Sequence, residues 1–267
     1  MVAAARGLER FRKEMPALLR QAFDEVIDSK RSGRFTFEEL EKTEKTYLGT
    51  KIEILLRNFL KFEKGGKLDL RIDDIEVDVK NTVGSQWTIP VEALGHPCIL
   101  IRADEKNALC WFGLLVIREA YLNPGKNRDL KRSISRLGRE KIHWLLKGVP
   151  YPANFWAQLG DERHQIISAR GGTERVAALF RRVQGRRISR NIVEALAQQK
   201  DYMKRIRKNG GARDVLSREG IAILWGRKDK TIIETLGLPS CSKDDFISFK
   251  PENESDAAML RRAGHIA

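Results

Sequence analysis

Two aspartates and a lysine stand closest to chemistry in this chain, in the stretch Asp69-Leu-Arg-Ile-Asp-Asp-Ile-Glu-Val-Asp-Val-Lys80. Its two arms, residues 67–72 and 75–81, alternate apolar and charged residues with the period of a half-buried strand. Asp73-Asp74 between them is an acceptable two-residue turn. Such a loop pairs Ile72 with Ile75, and counting outward pairs Leu70 with Val77 and Asp69 with Asp78. Directly opposed carboxylates repel each other, and a divalent cation converts that repulsion into a binding site. Lys80 shares the face of Asp78, so an ammonium sits beside the proposed ion. Two acids and a lysine on neighbouring strands are the minimum set for metal-assisted phosphodiester hydrolysis. Mg²⁺ prefers oxygen ligands and keeps several waters, so Asp69 and Asp78, with the carbonyl of Val79, suffice to hold it. The ion would polarise the scissile phosphate and lower the pKa of a bound water. Lys80 would orient that water, given a pKa depressed by partial burial. Glu53 is the fourth candidate for catalysis and metal binding. It lies between Ile52 and Ile54-Leu55, where a carboxylate is costly without a partner.

As text, this pattern is a weak signal. The alternative is a solvated face on which Lys67, Asp69, Arg71, Glu76, Asp78 and Lys80 pair across the strands in water, as Arg71 opposite Glu76 is expected to do.

The elements that must position these groups follow from apolar periodicity. Residues 8–30 read as an amphipathic helix, and Thr36 with Glu39 forms a capping box opening a short helix. Residues 46–62 read as a helix with a buried stripe of Ile52, Leu55, Leu56, Phe59 and Leu60. Gly65-Gly66 ends it before the hairpin. Residues 85–90, 98–102 and 108–121 read as strands, and 127–147 as a return to helix. Strands flanked by helices suggest an α/β domain over residues 1–147. Gly148-Val-Pro-Tyr-Pro reads as a stiff linker, taken as 148–155. Residues 156–250 then change to short basic helices, at 174–183, 189–199 and 201–208, followed by a strand at 220–225, the pattern of a winged helix-turn-helix. The polar tail, residues 251–267, reads as frayed and flexible.

Composition narrows the partner. Of 267 residues, 50 are Lys or Arg against 36 Asp or Glu, a formal charge of +14, which points to a polyanion. Residues 170–213 hold 13 basic residues against three acidic ones, so the excess is concentrated rather than spread. Cys98, Cys110 and Cys241 are odd in number and far apart, which suits neither a disulfide framework nor zinc. His96, His143, His164 and His265 show no ligand spacing. Neither a signal peptide nor a membrane span is legible, so a cytoplasmic protein without a membrane partner is expected.

Glu53, Asp69 and Asp78-Val79-Lys80 together resemble the active-site pattern of the PD-(D/E)xK nucleases, with a helical Glu ahead of the hairpin as in the MutH-like branch. The wider text resembles the NaeI-type restriction endonucleases. Residues 40–46 (LEKTEKT), 75–80 (IEVDVK), 87–90 (WTIP), 184–188 (QGRRI) and 208–213 (KNGGAR) carry that resemblance across both proposed domains. It implies a restriction-endonuclease-like mixed sheet flanked by helices, followed by a mainly helical winged helix-turn-helix domain. It also implies Mg²⁺ dependence and a homodimer binding two copies of double-stranded DNA, one cleaved and one stimulating cleavage. Leu68 stands where the motif has proline; the carboxylate, not the proline, binds metal.

For DNA contact the candidates in the second domain are Arg186, Arg187 and Arg190, then Lys200, Lys204, Arg205 and Lys208, the three lysines sharing one helical face, and Arg213 after Gly210-Gly211. In the first domain they are Asn81, Gln86 and Trp87, with core burial the competing reading for Trp87. The expected activity is that of a type II site-specific deoxyribonuclease cutting both strands of a short palindrome. The rivals are a mismatch-repair-type nicking endonuclease and a winged-helix regulator with an inactive nuclease-like domain.

Overall fold

The computed structural model describes residues 1–199 and 201–267, with Lys126 described by its backbone alone. The chain divides into two compact units, Met1–Ile27 with Thr36–Gln158, and Asp28–Phe35 with Leu159–Ala267.

The first unit opens with α1 (Leu8–Ile27), which ends where Asp28 turns left-handed, short of the expected residue 30; a single turn, α2 (Ser29–Ser32), belongs to the second unit. A 3-10 turn at Phe37–Glu39 carries the capping box of Thr36 and Glu39. Helix α3 (Lys42–Leu60) buries Leu48, Ile52, Leu56 and Leu60. Then come β1 (Glu63–Lys64), β2 (Leu70–Ile72), β3 (Ile75–Thr82), β4 (Thr88–Ile89), β5 (Pro97–Asp104), β6 (Leu109–Val116), β7 (Leu122–Lys126), β8 (Arg132–Ile134), α4 (Arg136–Glu140) and β9 (His143–Pro150).

Six strands form a mixed sheet in the order β1-β2-β3-β5-β6-β9, with β3 and β5 parallel and the other neighbours antiparallel. β5 reads as a continuous apolar run because it is covered on both faces. On one face, α1 and α3 pack Phe11, Met15, Leu19, Phe23, Ile52 and Leu56 against Val77, Val79, Ile99, Ile101 and Phe112. On the other, Cys98, Leu100 and Leu115 lie under Trp87, Ile89, Ile134 and Ile142, from the region of the three-stranded sheet β4-β8-β7.

Three expectations need correction. Residues 127–147 are not a helix. The spacing of Leu130, Ile134 and Leu137 imitates one, but Leu130 and Leu137 are 66% and 46% exposed, and Ser135 caps only the short α4. The free edge of β6 recruits residues 143–150 instead, so tertiary pairing overrides local pattern. The presumed linker is in part structural. Val149 and Pro150 pair with Cys110 and Leu109, Tyr151 is buried, and the first unit runs on to Gln158. The tail is ordered: α11 (Glu254–Arg262) is capped by Asn253, and Ala257, Leu260 and Ile266 join a core with Leu224, Ile233 and Ile247. Two apolar residues three apart and a third beyond the helix suffice to dock a segment that composition alone reads as frayed.

The second unit continues with α5 (Asp161–Ile167), α6 (Gly171–Arg182), β10 (Ile188–Ser189), α7 (Arg190–Ala197), α8 (Met203–Ile206), α9 (Ala212–Arg218), β11 (Ala222–Trp225), α10 (Lys230–Thr235) and β12 (Asp245–Phe249), before α11. Its strands form an antiparallel sheet with β12 between β10 and β11. No helix among the described residues is long and apolar enough to cross a membrane.

Candidate active site

The hairpin β2–β3 forms in the expected register, with Ile72 opposite Ile75 and Leu70 opposite Val77. Asp73 and Asp74 take φ of 46° and 63°, the left-handed pair that a two-residue turn between twisted strands demands. The loop before β2 is shaped by Glu76. Its carboxylate accepts the backbone N–H groups of Gly66, Lys67 and Leu68 at 2.8, 3.2 and 2.9 Å. Those hydrogen bonds, Leu68's foremost, hold Glu76 below the usual carboxylate range. A Cβ on Gly65 would stand 2.3 Å from the Leu68 carbonyl oxygen and 2.6 Å from the Glu76 carboxylate, so only glycine fits there. Arg71, expected to pair with Glu76, pairs with Glu63 instead, because the three N–H groups already occupy Glu76.

This loop delivers Asp69, whose Oδ2 accepts the Val79 N–H at 2.8 Å across the hairpin. Asp78 is only 3% exposed. The Lys80 Nζ donates to Asp78 Oδ1 at 2.6 Å and to the Val79 carbonyl at 3.2 Å, and lies 3.7 Å from Asp69 Oδ2. One ammonium thus sits where the three oxygens expected to bind a metal converge. Asp78 and Lys80 face the side of the sheet opposite α1 and α3. Their parallel partners Cys98 and Leu100 belong to the core on that side, and the Cys98 Sγ lies 3.8 Å from Asp78 Oδ2.

The electrostatics match this crowding. Burial pushes the Asp78 carboxyl above its ordinary range, and the nearby Asp69 adds to the rise against the pull of Lys80. Burial alone would depress Lys80, but Asp78 and Asp69 outweigh it and its pKa is raised. The expectation of a depressed lysine therefore fails, because the two acids hold the ammonium charged. Glu53, on α3, is raised by burial and then by Asp69, and its Oε1 lies 3.8 Å from Arg57 one turn on. No group of three or more His, Cys, Asp or Glu side chains among the described residues closes around a single point. The oxygens that could hold an ion here are those of two carboxylates and a peptide carbonyl, with Glu53 felt electrostatically at their edge. That set suits Mg²⁺, which takes one or two carboxylates and fills the rest of its shell with water.

The expected DNA contacts fare unevenly. Trp87 is 4% exposed and its Nε1 donates to the Ile101 carbonyl at 2.9 Å, so it is a core residue. Strand alternation puts Asn81 on the face of Val79, away from Asp78, while Gln86 is exposed in the loop beyond. In the second unit, Lys204 and Lys208 are exposed but share no helix, since α8 spans only Met203–Ile206; Lys200 lies outside the described residues. Arg205 is half-buried and donates to Gln199 and Thr173. Arg190 pairs with Glu194 at 2.7 Å and covers the Tyr202 ring. Arg186 and Arg187 are exposed ahead of β10, Arg187 lying 3.7 Å from Asp245. Arg213 is largely buried, 3.9 Å from Asp229, which counts against a phosphate contact. Sequence reasoning missed Glu76 and Cys98. The double glycine opposite an inward Glu hints at the first, whereas the second depends on a parallel register that no local pattern encodes.

Comparison with known proteins gives the family. The family model described as "Restriction endonuclease NaeI" matches residues 9–257. The type II restriction enzyme NaeI of Lentzea aerocolonigenes is 37% identical over 254 residues, covering 90% of this chain and 79% of the relative. The match reaches through both units: the chain belongs to the NaeI restriction endonuclease family and is a DNA endonuclease.

Proposed function

We propose that this endonuclease is a Mg²⁺-dependent type II enzyme that hydrolyses both strands of a short palindromic DNA site. The observation that carries this reading is the convergence of Asp69 Oδ2, Asp78 Oδ1 and the Val79 carbonyl on one cation, now the Lys80 ammonium. When bound there, a divalent ion polarises the scissile phosphate and lowers the pKa of a water. The chain's own residues do the positioning. Val79 N–H holds Asp69, burial beside Cys98 holds Asp78, and Glu76 fixes the loop that carries Asp69. Lys80, on the same face, would stabilise the negative charge developing on the phosphate oxygens.

Two-fold DNA symmetry calls for a two-fold protein, so the working form in this reading is a homodimer. The second unit supports a separate DNA contact. The chain order α6, β10, α7, α9, β11, β12, with β12 central in the sheet, supports reading this unit as a winged helix-turn-helix. Arg186, Arg187, Lys204 and Lys208 supply exposed positive charge there, fitting a second DNA copy that stimulates cleavage.

Supercoiled plasmid incubated with the protein and with Asp78→Ala, each in Mg²⁺ and in EDTA, tests the reading. Discrete linear fragments from the unaltered protein in Mg²⁺ alone are expected. Open circles without linear product would transfer the reading to a nicking enzyme, and equal cutting by Asp78→Ala would remove the hairpin from catalysis.

A further inference from the structure

Across the sheet from the carboxylates, the nuclease unit has a concavity of about 570 Å³ formed by β7, β8, α4 and β9. Its floor is apolar, made by Ile134 and Trp144, and its rim is cationic, made by Arg136, Arg139 and Lys147. The single acid on the rim, Glu140, lies 3.3 Å from Arg136. The Nε of Arg139 is buried with no hydrogen-bond partner among the described residues. Lys147 is exposed and has no ion-pair partner among them. Two cations are therefore uncompensated around an apolar floor.

The concavity lies on the same side of the sheet as Asp78 and Lys80. Trp144 packs on the same core as Cys98 and Leu100, the sheet neighbours of Asp78 and Lys80. The registers align one row across the sheet, Lys80 beside Leu100, Leu100 beside Gly113, and Gly113 beside Trp144. A Cβ on Gly113 would stand 2.9 Å from the Trp144 ring and 2.3 Å from Ile142, so glycine is what lets the indole lie down over β6. Three strand spacings separate the ends of this row, about 14 Å at roughly 4.8 Å each. Measured along the axis of a DNA duplex, at roughly 3.4 Å per nucleotide of one strand, that distance is about four nucleotide steps.

We propose that this concavity is a backbone-binding subsite for the same DNA whose scissile bond lies at the Lys80 end of the row. Arg139 and Lys147 neutralise two phosphates, and the Ile134–Trp144 floor packs against deoxyribose. The ligand is a sugar–phosphate strand because the site pairs an apolar floor with excess positive charge and offers no carboxylate free to bind a cation. This inference rests on the nuclease reading for its substrate, but binding can be measured without cleavage.

The test is affinity for duplex plasmid fragments in Ca²⁺ over a salt series, for the unaltered protein, Lys147→Gln, and Arg139→Gln with Lys147→Gln. Each lost phosphate contact lowers the slope of log K against log salt by about 0.9. The expected result is a slope shallower by roughly one unit in the single variant and two in the double. In Mg²⁺, KM for DNA rises while kcat at saturating DNA is retained. Unchanged slopes in both variants would overturn the proposal while leaving the cleavage reading intact, and Lys147→Gln, at an exposed position, covers the case in which the double variant fails to fold. Shallower slopes from a protein that cuts no plasmid in Mg²⁺ would keep the subsite and remove the nuclease reading instead.

Discussion

If the Lys80 ammonium occupies the cation position, replacing it should destabilise the protein without metal and strengthen its response to metal. Lys80→Met keeps the length and apolar stem of the side chain and removes the charge. The Asp78 side chain is 4% exposed and that of Lys80 24%. Breaking a buried ion pair by removing one partner costs about 3–5 kcal/mol. Here the lysine is a quarter exposed, and Asp78, already raised by burial, can take up a proton, so about 2–3 kcal/mol is expected. At roughly 2–4 °C per kcal/mol for a domain of 150–250 residues, Tm in EDTA falls by about 4–12 °C. An ion at a hundred times its Kd returns about 2.7 kcal/mol. In the unaltered protein part of that is spent displacing the ammonium, so Mg²⁺ raises Tm more in the variant. Calorimetry of both proteins in EDTA and in Mg²⁺ gives the comparison, with plasmid cleavage by the variant reduced by at least about 10²-fold. Equal Mg²⁺-induced rises in Tm, or no loss of Tm in EDTA, would refute the idea that the lysine holds the metal position.

Trp87→Phe removes the buried hydrogen bond to Ile101 and part of a packed ring, so a loss of about 2–3 kcal/mol in chemical denaturation is expected, with DNA affinity unchanged. A tenfold weaker Kd at unchanged stability would instead make Trp87 a DNA contact. Glu76→Gln weakens the anchor of residues 66–68 and loosens Asp69, so the Mg²⁺ concentration for half-maximal cleavage should rise several-fold while DNA affinity holds; an unchanged Mg²⁺ titration would show that the loop needs no anchor. In the second unit, Asp229 is held below the usual carboxylate range: burial opposes this, but His265, the Trp225 N–H and Arg213 together outweigh it. A depressed folded-state pKa contributes stability above the unfolded value near 3.8 and loses it as pH falls through the folded one. Denaturant midpoints should therefore fall on acidification below about pH 4, and Asp229→Asn should flatten that fall. An identical acid limb in the variant would exclude Asp229 as its source.

Much of the candidate site was legible in the primary structure because hairpins are local. The period-two alternation of residues 67–81 and a two-residue turn determine which side chains oppose which, so Asp69, Asp78 and Lys80 could be brought together on paper and are together in the fold. The capping box of Thr36 and Glu39 and the buried stripe of α3 were equally local. The concentration of charge in residues 170–213 and the sequence likeness to the NaeI family also belong to the chain as text.

Tertiary structure decided what depends on partners distant in sequence. Residues 143–150 became a strand because β6 had an open edge, and residues 254–266 became ordered because a core between β11 and β12 had room for Ala257, Leu260 and Ile266. Trp87 turned inward because the Ile101 carbonyl could accept its N–H. Lys80 is held charged because two acids surround a half-buried ammonium, whereas burial considered alone predicts the opposite. The row from Lys80 to Trp144 exists only through a parallel and two antiparallel registers that no window of sequence contains. Local periodicity sets where a side chain points along its own strand; which strand lies next to it is set by burial and hydrogen bonding across the whole sheet.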